Sequence, residues 1–291
     1  MKYFYAKVGK GNTLANKYLS NDSPIGMPAI PIFFDCGPGN KEEFLGNNTG
    51  KEQGRNFFWC GENIGKATIV VINEGYLYLL RPKNEVFFLK SNKNTDYLKE
   101  SEYVKLLPIE ILLKQSLSDV PAILSSMTAN AYYYSGTFRE IRDSGNIRAI
   151  QSVLKTPISE FNYEDSSDLL YCLSSIELET LVAKIFEEAG CFVPAYRGGA
   201  IKDIDIFAKN MGSKDVRLGN ISIPTNSCAS IQVKRKTTLK KPPVGCNYLL
   251  SVNNDSDYIL DIVRNLKNTK RWLVMSLNWI PKKVLRGYNV F

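Results

Sequence analysis

The alternation of apolar and polar positions divides the chain into two unlike parts. Residues 2–8 alternate as a strand does. Residues 9–57 are rich in Gly, Asn and Pro, which predicts long loops with short extended pieces. Three strand-like runs follow at 68–73, 76–81 and 85–90. The turn candidates Asn73-Glu74-Gly75 and Pro82-Lys83-Asn84 lie between them and predict an antiparallel meander. Residues 108–128 and 138–156 read as mainly helical, broken at Pro121 and Gly145. The stretch 160–168 is polar, acidic and short of large aliphatics, and it marks the expected boundary between domains 1–165 and 166–291.

The second part opens on Ser174-Ser175-Ile176-Glu177, a serine followed three residues later by a glutamate, the capping-box pattern. A helix follows, with Leu178, Leu181, Val182, Ile185, Phe186 and Ala189 on its apolar face and Gly190 as its stop. A short strand at 191–194 and a turn at 197–200 come next. Ile204, Ile206 and Ala208 then alternate with Asp203, Asp205 and Phe207, a strand periodicity. After a loop-rich insertion at 209–228, Ile231 and Val233 alternate with Ser230, Gln232 and Lys234. A strand at 248–252, a helix at about 258–267, a strand at 272–277 and a basic tail complete the order. The expected fold class is α/β (α+β overall): a C-terminal mixed sheet flanked by helices, and an N-terminal, mostly antiparallel α+β domain.

Composition narrows the chemistry. The chain of 291 residues contains no histidine, which excludes Ser-His-Asp and Cys-His machinery and every imidazole metal site. Carboxylates, Lys, Tyr, Cys or an oxygen-bound metal must act instead. The net charge of +8 is unevenly placed: residues 1–200 carry 21 Lys+Arg against 23 Asp+Glu, whereas 201–291 carry 16 against 6. So basic a last third suits a polyanion, since each cation at a phosphate releases counterions. The six cysteines are scattered without a C-x-x-C pair and read as small buried hydrophobes. No apolar run reaches the ~18 residues of a membrane span, and the first residues are too polar for a signal peptide, so a cytoplasmic protein is expected.

The two alternating strands carry the candidate chemistry. With the isoleucines inward, Asp203 and Asp205 share the opposite face of the first strand, and Gln232 and Lys234 that of the second. Glu179 lies at helical spacing with Val182 and Phe186, at the edge of the apolar stripe. Two carboxylates with an amide or backbone oxygen make a hard-oxygen set suited to Mg²⁺. A neighbouring lysine can orient an attacking water and stabilise charge on a phosphate.

These segments, Leu178–Gly190 with its early glutamate, Arg197-Gly198-Gly199-Ala200-Ile201-Lys202-Asp203-Ile204-Asp205-Ile206, and Ile231-Gln232-Val233-Lys234-Arg235-Lys236, resemble the PD-(D/E)xK nuclease superfamily, most closely its Mrr-like restriction endonuclease branch. The resemblance spans residues 174–237. It implies a restriction-endonuclease-like fold, with Glu179 as the helix glutamate, Asp205 as the strand aspartate, Gln232 at the acidic or amide position and Lys234 as the lysine. Glu179, Asp205 and Gln232 would ligate the metal. The chain departs from the pattern twice: residues 206–231 form a long spacer, and no glycine stands directly before the aspartate, which leaves Asp203 and Asp205 both as candidates. Asp205 is favoured because Ile206-Phe207-Ala208 continues as strand after it. Glu177 is assigned to the capping box.

The resemblance further implies Mg²⁺-dependent hydrolysis of double-stranded DNA at a specific site, modified or unmodified, with Mn²⁺ as a substitute metal and a 5′-phosphate product. A homodimer is expected, because cutting two strands usually takes two such sites. Lys236, Lys240, Lys241, Lys282, Lys283 and Arg286 would track the DNA backbone. Residues 1–165 would read the target, with Trp59, Tyr132, Tyr133 and Tyr134 as candidates for base stacking or as packing residues. The alternatives are a structure-selective or repair nuclease and a non-cleaving DNA-binding module on a nuclease fold. Gly61-Glu62-Asn63-Ile64-Gly65-Lys66-Ala67 is one residue short of a P-loop, lacks the following Ser/Thr and precedes a strand, so no nucleotide cofactor is expected.

Overall fold

The computed structural model describes residues 1–46, 51–90, 102–196 and 203–291. The chain is mixed α and β and divides into two compact units. Unit 1 is Met1–Val120 with Met127–Arg142, and unit 2 is Pro121–Ser126 with Asp143–Phe291. The division comes at Arg142/Asp143, ahead of the acidic stretch at 160–168, which lies inside unit 2. Arg148, buried in unit 2, holds that stretch in place: its guanidinium donates to both oxygens of Asp168 at 3.0 and 2.8 Å and to the Glu160 carbonyl at 2.6 Å. Acidity here marks an internal ion pair rather than a linker.

The first 142 residues run through β1 (Lys2–Ala6), α1 (Ala15–Tyr18), β2 (Ala29–Ile32), α2 (Lys41–Gly46), α3 (Lys51–Glu62), β3 (Ala67–Asn73), β4 (Tyr76–Pro82), β5 (Phe87–Lys90), β6 (Tyr103–Ser116), α4 (Ala122–Ser125), α5 (Ala131–Tyr134) and β7 (Phe138–Glu140). Of these, α4 belongs to unit 2. Seven strands form one sheet in the order β2-β6-β4-β3-β1-β7, with β5 also paired to β6. All pairings are antiparallel except β1 with β3. The β3–β4 hairpin forms as expected, with Gly75 at φ 80° in its turn. The meander ends there, because β5 pairs with β6 and not with β4.

The stretch expected as helix at 108–128 is strand up to Ser116, where the 14-residue β6 ends, and helical only later, in α4 and short turns beside it. Its first half is pinned between β2 and β5 and its second half pairs with β4, so three partner strands set its conformation. The helix α3 also departs from the loop expected at 9–57. Its glycines are there for close packing: a β-carbon at Gly61 would lie 2.8 Å from the Val86 amide nitrogen.

Unit 2 continues with α6 (Ser144–Val153), α7 (Ser167–Leu170), α8 (Ser175–Glu188), β8 (Cys191–Tyr196), β9 (Ile206–Asn210), β10 (Val216–Leu218), β11 (Ile221–Ile223), β12 (Cys228–Lys234), β13 (Tyr248–Ser251), α9 (Val252–Asn265), α10 (Lys267–Ser276) and α11 (Lys282–Gly287). Its four-stranded sheet has the order β13-β12-β9-β8, parallel between β12 and β13 and antiparallel elsewhere. The long spacer between the two motif strands is the β10–β11 hairpin. Gly145 does not break α6; it sits inside the helix where a β-carbon would strike the Tyr171 carbonyl. The expected strand at 272–277 is part of α10, where Thr269, Leu273 and the following Leu277 are buried at a spacing of four. Among the described residues, no helix is long and apolar enough to cross a membrane.

Candidate functional site

The capping box on α8 forms in both directions. The Ser174 hydroxyl accepts from the Glu177 amide at 3.1 Å, and the Glu177 carboxylate accepts from the Ser174 amide at 2.9 Å. Burial pushes the Glu177 carboxyl up, as suits a structural group. Beneath the helix, Leu178, Leu181, Val182, Ile185 and Phe186 join the unit 2 core with Ile206, Ala208, Ile231 and Val233. This packing fixes the strands that carry the candidate chemistry.

At the end of β12 the sheet is left incomplete, and side chains finish it. The pairing of β9 with β12 ends at Ile206 and Ile231, so Val233 has no strand partner on that side. The Asp205 amide donates to the Ile231 carbonyl at 3.0 Å, and Asp205 Oδ2 then accepts from the Val233 amide at 2.7 Å. The carboxylate takes the place of a missing backbone acceptor. Lys234 Nζ stands 3.6 Å from the same oxygen, with the two side chains 41% and 21% exposed. Among the described residues, Oδ1 of Asp205 has no hydrogen-bond partner.

The two aspartates precede β9 rather than sharing one of its faces. Asp203 sits in a turn at φ 66°, a left-handed conformation that aspartate tolerates better than most residues. From there its Oδ1 accepts from Gln232 Nε2 at 3.4 Å. Gln232 is not displayed on an open face beside Lys234; it is 2% exposed, and its buried Oε1 has no hydrogen-bond partner among the described residues. A buried carbonyl oxygen without a donor costs about 1–3 kcal/mol. A cation held by Gln232 Oε1 and an aspartate oxygen would remove that cost, so the donor set fits a hard divalent ion.

Glu179 is half-buried on α8. Among the described residues there is no group of three or more acidic or thiol side chains placed to hold a metal, so Glu179 does not form one with Asp203 and Asp205. The Gly-rich turn at 197–200 lies outside the described residues.

Two neighbours escaped the sequence reading. Arg235, which the sequence gives no separate role, is largely buried. It pairs with Asp143 at 3.1 Å and donates to the Tyr171 carbonyl, while Asp143 also caps α6 through the Asn146 amide. It thereby anchors the strand end next to Lys234. Cys246 donates its thiol to the Ser230 and Tyr248 carbonyls at 3.3 and 3.1 Å. Burial pushes that thiol up, and the Asp205 charge adds to the effect, so it stays protonated. Cys228 is exposed, unlike the other five cysteines.

Of the basic candidates, Lys236, Lys240 and Lys241 are exposed on the stretch after β12, with Lys236 Nζ 5.1 Å from the centre of the Tyr171 ring. Lys282, Lys283 and Arg286 are exposed on α11, where Lys282 and Arg286 lie over the Phe291 ring. In unit 1, Tyr133 is 4% exposed and packs on Tyr5, which removes it as a stacking platform. Trp59 packs against Phe4 and lies under Lys2 Nζ at 4.6 Å. Tyr132 remains 41% exposed, and the Tyr134 side chain lies outside the described residues.

Set against family models, curated proteins and solved structures, the chain matches none of them.

Proposed function

We propose that the Asp203–Asp205–Gln232–Lys234 group is the hydrolytic centre of a Mg²⁺-dependent endonuclease of restriction type acting on double-stranded DNA, on a restriction-endonuclease-like sheet. One observation carries this reading: Asp205 and Lys234 form an ion pair at the end of the strand whose buried Gln232 oxygen has no partner among the described residues. Asp205 and Gln232 would hold the metal, with water completing its coordination. Bound there, Mg²⁺ supplies Lewis-acid stabilisation of phosphate charge and acidifies a water.

The chain's own groups have separate tasks. The Val233 amide holds Asp205 Oδ2, leaving Oδ1 to face a cation. Lys234, half-exposed, orients the attacking water and neutralises charge gathering on the phosphate. Lys236, Lys240 and Lys241 hold the DNA backbone close to this strand end, with Lys282, Lys283 and Arg286 adding contacts. Unit 1 serves target recognition, and a homodimer in the cytoplasm would place one centre on each strand. The second reading, a DNA-binding module without cleavage, is favoured by the lack of a three-carboxylate group among the described residues.

The test is incubation of the full chain with unmodified and methylated plasmid in Mg²⁺, Mn²⁺ or EDTA. Discrete fragments that need the metal are expected, lost in Asp205→Asn and in Lys234→Ala while the latter still shifts DNA in a gel. A gel shift with no cleavage in either metal rejects the hydrolytic reading. Cleavage that survives Asp205→Asn but not Asp203→Asn assigns the principal ligand to Asp203.

A further inference from the structure

A second candidate site lies wholly within unit 1 and does not depend on the unit 2 chemistry. A cavity of about 400 Å³ opens between the stretch that follows β1 and the stretch that follows β2. That volume falls in the range of small-molecule sites, roughly 300–1,000 Å³. Its lining has two chemical halves. On one side stand Lys7 and Lys10, with the backbone of Gly9 and Gly11; on the other stand the rings of Phe33 and Phe34. Among the described residues, no acidic side chain lines it.

The basic half is built by local sequence. Gly9 and Gly11 sit at φ 79° and 64°, conformations that glycine adopts without a steric cost. A β-carbon at Gly9 would lie 2.8 Å from the Leu14 side chain. The turn is tied down from behind: Asn12 accepts from the Val8 amide at 2.7 Å and donates to the Ile72 carbonyl at 2.6 Å. The amides of Gly9, Lys10 and Gly11 donate to no partner among the described residues. Lys7 is half-buried, and burial lowers its ammonium.

The aromatic half is held just as firmly. Lys105, 0% exposed on β6, donates to the carbonyls of Phe34 and Asp35 at 2.7 and 2.6 Å. Its ammonium lies 4.5 Å from the Phe44 ring centre, and Phe44 in turn packs on Phe34 at 5.7 Å. The buried lysine therefore sets the wall that Phe34 presents to the cavity.

Two cations and unpartnered amides beside two rings suit one ligand class. We propose that this cavity binds a phosphorylated nucleoside, with phosphate at Lys7, Lys10 and the Gly9–Gly11 backbone and the base against Phe33 and Phe34. Binding involves no hydrolysis. The same chemistry is offered by a free 5′-mononucleotide and by one nucleotide turned out of a nucleic acid strand.

The test uses the full chain in EDTA, with calorimetric titration of 5′-deoxymononucleotides, the matching nucleosides and inorganic phosphate. A mononucleotide should bind at least tenfold more tightly than nucleoside or phosphate alone. Lys10→Glu, at an exposed position, should weaken it about tenfold or more, whereas Lys83→Glu elsewhere in unit 1 and Lys234→Ala in unit 2 should not. Phe34→Leu, which keeps an apolar wall, should shrink the gap between mononucleotide and phosphate. A duplex carrying 2-aminopurine separates the sources: brightening that Lys10→Glu abolishes assigns the site to a strand nucleotide, and unchanged fluorescence with mononucleotide binding assigns it to the free ligand. Equal affinity for phosphate and mononucleotide, indifference to Lys10→Glu, or no binding of either ligand overturns the proposal.

Discussion

Replacing Gln232 with methionine should make the protein more stable and less able to hold a metal. In the wild type, Gln232 Oε1 is buried without a donor, at a cost of about 1–3 kcal/mol. The amide recovers little through Nε2, whose bond to Asp203 is long at 3.4 Å and worth about 0.5 kcal/mol at most. Methionine has a similar length and no donor or acceptor needing a partner, and volume-conserving swaps cost under about 1.5 kcal/mol. The balance favours Gln232→Met by about 1 kcal/mol, a rise of roughly 2–4 °C in Tm for a protein of this size. Urea unfolding in EDTA measures it, and Trp272 and Trp279 provide fluorescence signals from unit 2. Adding Mg²⁺ at ten times its Kd should then stabilise the wild type by about 1.4 kcal/mol and leave the variant unchanged. A variant less stable by more than about 1 kcal/mol in EDTA, or Mg²⁺ stabilising both proteins equally, would refute the reasoning.

Three further outcomes follow from other groups. Arg148→Met strands Asp168 with its carboxylate inside unit 2, and urea midpoints should show a loss of about 3 kcal/mol; a loss under about 1 would mean that the pair is solvated. Gly145→Ala gains about 1 kcal/mol of helix propensity, yet its β-carbon would stand 2.0 Å from the Tyr171 carbonyl oxygen. A net loss of about 1–3 kcal/mol is expected in thermal unfolding, and a stabilised variant would contradict the packing. Burial lowers the Lys105 ammonium below its unfolded value, so between the two pKa values the unfolded chain binds more protons and stability rises with pH. Wild type should therefore gain on Lys105→Met as pH rises from 8 to 10, and parallel curves for the two proteins would count against a buried, proton-shifted lysine.

Much of unit 2 is legible in its residues because local signals and burial agree there. Ser174 and Glu177 specify a helix start that forms as written, and Ile206, Ala208, Ile231 and Val233 turn inward as their spacing requires. Unit 1 resists the same reading because distant pairing decides it. The start of the stretch expected as helix at 108–128 is strand because β2, β4 and β5 pair along β6, where Ile109, Ile111 and Leu113 recur at a spacing of two. In α3, Gly54 and Gly61 look like turn signals when they are clearances for Phe44 and the Val86 backbone. At the site, the residue types were visible and the geometry was not. That β9 stops at Ile206, leaving Asp205 to serve the Val233 amide, depends on strand length, which periodicity does not encode. The burial of Arg235 was equally hidden among its basic neighbours.

The path of the chain between the two units has a consequence for how such a protein can be inherited. The chain finishes most of unit 1 at Val120, gives Pro121–Ser126 to unit 2, returns for Met127–Arg142, and only then completes unit 2. A single recombination joint at 142/143 would deliver a C-terminal piece without Ile123 and Leu124, both buried residues of unit 2. A joint at 120/121 would carry β7 away from β1, its partner in the unit 1 sheet. Neither half is a cassette that one crossover can exchange, so each unit can change by substitution but not by a single swap.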